Sequence, residues 1–407
     1  MNSEKKFFHS NTAIVTLFAA CFVVLISLGV RQTFGLFFID FNESLNISNT
    51  AFGFAIGTQM LMWGLTGPIF GAIADRFGGH VAIISSFLFY TLGVYFLYSG
   101  PNTGIFFQIH LGLLIGIGLG GTAISIPMSI VGKHFPLSNR TIAMSIVTAV
   151  GSFGYFISPI FTNYSLIEYG WNYTLFLFSL FLVTGLIAAY FVRSPKENEI
   201  VESRSDQSFK EALSEAFKSK SYILLVSGFF VCGFHITLVG THVPKYVIDR
   251  GLEDWTAAAI LSLIGLFNIF GSLLSGYLST KISKKVLLSA IYLLRGFSIA
   301  FFIFTPPSVL SAFIFGASFG FLWLSTVPAT SGIVAHLFGT KYLGLLYGIV
   351  FLSHQIGSFF GAYLGGLFHD LYGSYDYAWY LAILLSIFAA IIHLPIIEKP
   401  VERLQKI

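Results

Sequence analysis

Twelve runs of about 20 or more mostly apolar residues make up most of this chain. They lie at 12–40, 49–72, 80–99, 104–132, 141–163, 172–193, 221–247, 256–279, 285–304, 308–335, 342–368 and 377–397. A helix needs roughly 20 apolar residues to cross a bilayer. Inside hydrocarbon the backbone must pair its own polar groups, so runs of this kind fold as membrane helices. A membrane β-barrel would instead show alternation in strands of about ten residues, and no alternation is present. The charge content agrees. Charged residues are 10% of the 407, where an ordinary soluble domain has about a quarter. Disorder, coiled coil and nucleic-acid binding are excluded on the same ground. The net charge of +4 calls for no polyanionic partner; the expected partner is the lipid bilayer. Cys21 and Cys232 both lie in apolar runs, which argues against a disulfide framework and leaves the redox compartment unread. No small-residue cleavage site follows the first run, so it is expected to be a retained helix.

Polar and turn-forming residues separate the runs, among them Asp75-Arg76, Gly100-Pro101-Asn102, Gly170-Trp171-Asn172 and Pro306-Pro307. Basic residues set the orientation. With the N-terminus in the cytoplasm, 18 of the 22 Lys and Arg residues fall on the inner side and only Lys245 and Arg250 on the outer. Arg31 and Arg295 fall within spans. The expectation is a multi-pass protein of the cell inner (plasma) membrane with both termini cytoplasmic.

The stretch from Arg193 to Lys220 is rich in both charges and reads as a solvated linker. Within it, Ser208 and Glu211 form a capping box. Phe209, Ala212, Leu213, Ala216 and Phe217 then recur on one face, which suits a short amphipathic helix at the membrane surface. The predicted organisation is an N-terminal six-helix bundle at 1–193, a linker at 194–220 and a C-terminal six-helix bundle at 221–407. The halves repeat. Gly71 to Arg76 matches Gly276 to Lys281 at an offset of 205. Gly116 and Gly120 match Gly316 and Gly320 at 200, and Gly151-Ser152-Phe153 matches Gly357-Ser358-Phe359 at 206. Two related halves around a central pathway is the arrangement of alternating-access carriers. The predicted fold is an all-α membrane protein of twelve helices in two pseudo-symmetric bundles.

The segment Gly71-Ala-Ile-Ala-Asp75-Arg76-Phe-Gly78-Gly79-His80 resembles the loop motif Gly-x-x-x-Asp-Arg-x-Gly-Arg-Lys/Arg of the major facilitator superfamily. Gly79 and His80 stand where that motif has basic residues, so part of its charge network is weakened. The resemblance implies gating or structural roles for Asp75 and Arg76, with Asp75 placed at a helix N-terminus and Arg76 bridging to the other half. A finer resemblance is to bacterial carriers grouped with monocarboxylate transporters and the oxalate–formate antiporter. It rests on Gly29 to Phe37, Gly112 to Gly121, Tyr292-Leu-Leu-Arg295, Trp323 to Pro328 and His354-Gln355-Ile-Gly357. One departure stands out. Those transporters resemble one another in an Asp and an Arg four residues apart in span eight, where this chain has Asn268 and Ser272.

The buried charges point the same way. No carboxylate lies deep in a span, whereas two arginines do. A charge at mid-bilayer costs at least about 2.5–3.5 kcal/mol, so each arginine needs carbonyls, water or an anion. Arg31 sits about 13 Å from the outer end of its helix and is expected either to contact substrate or to hold carbonyls. Arg295 is assigned to bracing the C-terminal half. Asn268, Trp323, His354 and Gln355 complete the expected substrate site. A neutral histidine donates to a carboxylate and exchanges a proton near neutral pH; Trp323 forms either a cavity wall or packing. No P-loop, H-E-x-x-H, CxxC or G-x-S-x-G motif is present, so no enzyme activity, metal or cofactor is expected. The reading is a secondary carrier of a small organic anion, a mono- or dicarboxylate, linked to protons or to anion exchange and acting as a monomer. The competing readings are a multidrug or hydrophobic-compound exporter and a membrane sensor that does not transport.

Overall fold

The computed structural model describes residues 11–194, 207–339 and 341–405, so the first part of the predicted linker, 195–206, lies outside the described residues. Twelve helices cross back and forth in two six-helix bundles. They are α1 (Asn11–Leu45), α2 (Asn49–Phe77), α3 (Gly79–Ser99), α4 (Ile105–His134), α5 and α6 (the two arms of Leu137–Ala189), α7 (Lys220–Asp249), α8 (Asp254–Leu278), α9 (Lys284–Phe304), α10 (Val309–Phe338), α11 (Leu343–Tyr372) and α12 (Asp376–His393). The α5 and α6 arms bend apart at Gly170, whose φ of 78° suits a residue without a Cβ. Every span except α2 lies in a segment of high mean hydropathy. Helix α2 carries Gly53, Gly57, Gln59, Gly64 and Thr66 because it packs on α4 and α11, where close approach matters more than apolarity. The outside of the bundles is apolar: Phe18, Phe304 and Leu310 are all about 70% exposed, as lipid-facing side chains are.

Each half has its own core. One runs from Ala13 to Val192 and takes in Ala362; the other runs from Ala216 to Ile396. The sequence repeats pack alike in both. Gly120 of α4 presses on Thr66 of α2, and Gly320 of α10 presses on Ile264 of α8. Gly151 of α5 meets Val24 of α1, and Gly357 of α11 meets Phe230 of α7. The small residues thus serve helix packing within each half, where backbones must approach closely.

One end of the molecule carries Arg76, Lys133, Lys284 and Arg403 and is called the basic face here. The halves touch at the opposite face and in the middle. Gly53 of α2 lies against the Ala362 carbonyl. Phe54 meets Phe359 and Tyr363 edge-on, with centroids 5.7 and 5.9 Å apart. Gly265 of α8 lies on the backbone of Tyr155 and Phe156 in α5. Towards the basic face, Gly71, Gly276, Gly344 and Gly348 have nothing within 4 Å of where a Cβ would stand. Along α2 and α11 the halves are in contact from Asn49–Asp370 at the opposite face to Gly64–Gln355 and Trp63–Phe351 in the middle.

Two expectations from the loop motif need correction. Asp75 is not at a helix N-terminus. It lies in the last turn of α2, which continues through Asp75-Arg76 to Phe77 before Gly78 (φ 96°) ends it. Its partner is Lys133, 2.9 Å away at the end of α4. Arg76 is exposed and lies over the Phe77 ring at 5.2 Å. Among the described residues its contact is with Phe77 of its own half, not with the other half.

The linker helix, Phe209–Lys218, begins with the capping box of Ser208 and Glu211. It seats Ala212 and Ala216 on the C-terminal half and leaves Phe209 and Phe217 each 53% exposed. Nearby, Glu398 accepts from the Lys285 N–H and the Ser283 hydroxyl, both at 2.7 Å, and so caps the N-terminus of α9. Partial burial pushes the Glu398 carboxyl up, but these donors outweigh it and hold it below its ordinary value. A depressed carboxylate stabilises the fold above its unfolded value of about 4.3, and the contribution is lost as pH falls through the folded value. Glu398→Gln is therefore expected to lower stability by about 0.3–1 kcal/mol at neutral pH, with the gap to wild type closing in strong acid. Thermal unfolding at both pH values checks this; a gap independent of pH would refute it.

Candidate functional site

Prolines shape the middle of both halves. A proline lacks the N–H that would pair the carbonyl four residues back. Pro127 and Pro328 accordingly follow breaks in α4, between Thr122 and Ser125, and in α10, between Leu322 and Thr326. Ser27 of α1 bonds Thr122 at the first break, at 2.7 Å. Cys232 of α7 bonds Thr326 at the second, at 3.2 Å. The offsets match the sequence repeat.

At the second break Arg295 donates to the two carbonyls where α10 is interrupted. It is fully buried. Its Nε and Nη2 donate to the Leu322 carbonyl at 3.1 and 2.6 Å, and Nη2 donates to the Trp323 carbonyl at 2.5 Å. Its Nη1 donates to Cys232 Sγ at 3.2 Å. Asn268 of α8 serves the same break. Its Oδ1 accepts from the Leu324 N–H at 3.0 Å, while its Nδ2 donates across to Ser152 of α5 at 3.0 Å. Both of its polar atoms have protein partners, so Asn268 joins the two halves at a helix break. Trp323 is buried against Phe319 and reaches towards Gly240 of α7.

Arg31 has a different setting. It is 8% exposed. Nη2 donates to the Met60 sulfur at 3.1 Å, and Nη1 makes a long 3.4 Å contact with Gln32 Oε1. Among the described residues its Nε has no partner. Weak acceptors and one orphan donor are poor compensation for a buried guanidinium. Gln32 Nε2 is a second orphan donor and Gln355 Nε2 a third. Gln355 packs on Gly64 of α2, one turn from Met60. A face of α2 thus carries Arg31 from one half and Gln355 from the other. His354 shares its Nδ1 with Gln355 Oε1 at 3.1 Å and stacks on Phe351, which meets Trp63 of α2.

The predicted residues therefore fall in two groups. Arg31 and Gln355 line the contact between halves, with His354 beside them. Arg295, Asn268 and Trp323 surround the α10 break. Gln32 was not singled out from the sequence, although its place next to Arg31 was a readable signal. Cys232 was missed too. Its offset of 205 from Ser27 was available, but neither residue carries a motif.

A model of the Major Facilitator Superfamily matches residues 20–327, more than half of the chain. The chain belongs to the Major Facilitator Superfamily. It is 23% identical to the MFS-type transporter YcxA of Bacillus subtilis strain 168 over 401 residues, covering 94% of this chain and 95% of that protein. It is 24% identical to monocarboxylate transporter 13 of Rattus norvegicus over 383 residues, covering 90% and 85%. A solved bacterial homolog of the human lysosomal transporter Spinster, inward-facing and unoccupied, superposes with a TM-score of 0.76 at 16% identity, covering 94% and 96%. In this MFS-type transporter the orphan donors of Arg31 and Gln32 on α1 and of Gln355 on α11 belong to opposite halves.

Proposed function

We propose that this transporter carries a small monocarboxylate by alternating access, with Arg31 as the residue that binds the carboxylate. One observation carries the reading. Among the described residues Arg31 is a buried guanidinium with an unpartnered Nε and no carboxylate among its hydrogen-bond partners. The planar fork suits a two-point contact with a carboxylate. The orphan amide donors of Gln32 and Gln355 would complete an anion's acceptor sites. The number of charges argues for a single carboxylate. Arg295, the other deep cation, already spends its donors on two carbonyls and a sulfur. The 24% identity to a monocarboxylate transporter over most of the chain supports the same class. With the basic face cytoplasmic, as the excess of Lys and Arg argues, the Asn49–Asp370 contact between the halves lies on the outer side. A neutral cycle needs a proton travelling with the anion or a second anion returning.

The test is thermal stabilisation of the purified protein by formate, acetate, lactate, pyruvate, oxalate and succinate. Monocarboxylates are expected to raise the melting temperature in wild type, by mass action, and to lose this effect in Arg31→Gln. Uptake of a stabilising anion should fall at least about tenfold in Arg31→Gln, as the loss of a charged hydrogen bond of about 1.5–3 kcal/mol implies. Dependence on internal counter-anion separates exchange from proton linkage. Stabilisation by hydrophobic compounds and by no carboxylate would favour an exporter and overturn the proposal.

A further inference from the structure

Met60 is a poor partner for a buried guanidinium. It is buried itself, and its sulfur accepts from Arg31 Nη2 at 3.1 Å. A thioether is a weak acceptor, whereas a charged donor makes its strong bonds with carboxylates and phosphates. Two further features mark this contact. The Nε–H of Arg31, unpartnered among the described residues, shares one edge of the planar guanidinium with Nη2. That edge meets a carboxylate side-on through two parallel bonds. Of its two seats, one is empty and the other is held by sulfur. Met60 also stands one turn before Gly64 on α2, and Gln355 packs against Gly64. Gln355 belongs to the other half, is fully buried, and has no partner for its Nε2 among the described residues. Residues four apart share a helix face, so Met60 lies on the face of α2 that receives donors from both halves.

We propose that Met60 is a placeholder in the anion site, its thioether holding one seat of the Arg31 fork until the substrate carboxylate displaces it. This rests on the monocarboxylate reading above and names the residue that sets how tightly the anion is held. The argument is one of competition. Binding swaps one acceptor of Arg31 for another, so only the difference between the two appears as affinity. A strong acceptor at position 60 would satisfy the guanidinium and leave the anion little to gain. A thioether keeps the fork in place and gives way to a carboxylate at small cost. Methionine also suits the movement. Its side chain is unbranched with three rotatable bonds, so it can change rotamer without shifting α2. The exchange is of non-covalent contacts alone, and no proton or electron moves.

Substitutions of similar size separate acceptor strength from packing. Met60→Leu offers no acceptor, Met60→Gln an amide oxygen and Met60→Glu a carboxylate. Each purified protein is measured for its melting temperature without ligand, and for the dissociation constants of acetate, lactate and pyruvate from the dependence of that temperature on anion concentration. Met60→Leu should melt lower than wild type without ligand yet bind the anion about threefold more tightly, because Arg31 has lost its stand-in. Met60→Gln should bind about tenfold more weakly. Met60→Glu should show no response to any of the three anions, since a tethered carboxylate fills the seat. A packing role alone would make stability and affinity fall together in Met60→Leu, and that result would overturn the proposal. So would an anion response that persists in Met60→Glu. Should the Met60→Glu protein fail to fold, the leucine and glutamine variants decide. If wild type responds, Arg31→Gln does not, and both of those variants bind as wild type does, the placeholder is refuted and the monocarboxylate reading stands. If none of the three anions stabilises wild type, the placeholder falls together with that reading.

Discussion

Asp370→Ala is expected to unlatch the opposite face. Asp370, near the end of α11, accepts from the Thr50 N–H and from the Asn49 side chain, both at 2.7 Å. Those donors sit at the N-terminus of α2, in the other half, where the helix dipole favours a negative charge. Tyr375 steadies Asn49 through a 2.8 Å bond to its Oδ1. The carboxylate therefore holds the halves together only when this face is closed, and the alternating-access cycle proposed above requires that it be broken. Asp370 is exposed, so solvent screening discounts the contacts. About 1–2 kcal/mol remains, a factor of roughly 5–30 in the ratio of open to closed forms. Asp370→Asn should give part of the effect. Spin labels at Glu43 and Asp254, one on each half, report the separation by pulsed electron resonance. The alanine variant should add a longer-distance population. An unchanged distance distribution would remove the latch.

Arg295→Met is expected to cost the most stability of any single change described here. Methionine preserves much of the side chain's length but donates nothing. The Leu322 and Trp323 carbonyls would lose their Arg295 donors inside the α10 break, each at about 1–3 kcal/mol. The total is about 3–5 kcal/mol, the range seen when one partner of a buried charged network is removed. Arg295→Lys keeps the charge without the planar fork and should fall in between. Thermal unfolding in detergent measures both. A loss below about 0.5 kcal/mol, the range of ordinary surface changes, would show that the break is held by other groups.

Much of the fold was legible in the sequence because its signals are local sums. A run of apolar residues reads as a span wherever it lies. An excess of lysine and arginine reads as an orientation, and recurring glycines at one offset read as two like halves. The capping box of Ser208 and Glu211 was readable for the same reason, since both residues belong to one turn. The site was legible only in part. That Arg31 and Arg295 were buried without acids followed from counting charges. That they play different parts did not. Arg295 meets the Leu322 and Trp323 carbonyls at the α10 break, on a neighbouring helix, while Arg31 meets only a thioether and an amide.

What local pattern could not place follows the same line. Asp75 was placed by motif at a helix N-terminus, yet α2 runs on past it, because the end of a helix is set by Gly78 and by packing against α4. Asn268 reads in sequence as a polar residue awaiting substrate; in space both of its polar atoms are occupied by Ser152 and Leu324. Cys232 reads as one more apolar residue until Arg295 is seen 3.2 Å away. The sequence by itself determined which segments enter the membrane, since transfer from water to lipid depends on each segment's own composition. Only the tertiary structure decided which buried polar groups are satisfied and which are left for a ligand. A hydrogen bond depends on distances of a few tenths of an ångström between residues as much as 321 positions apart in the chain, and no local pattern encodes them.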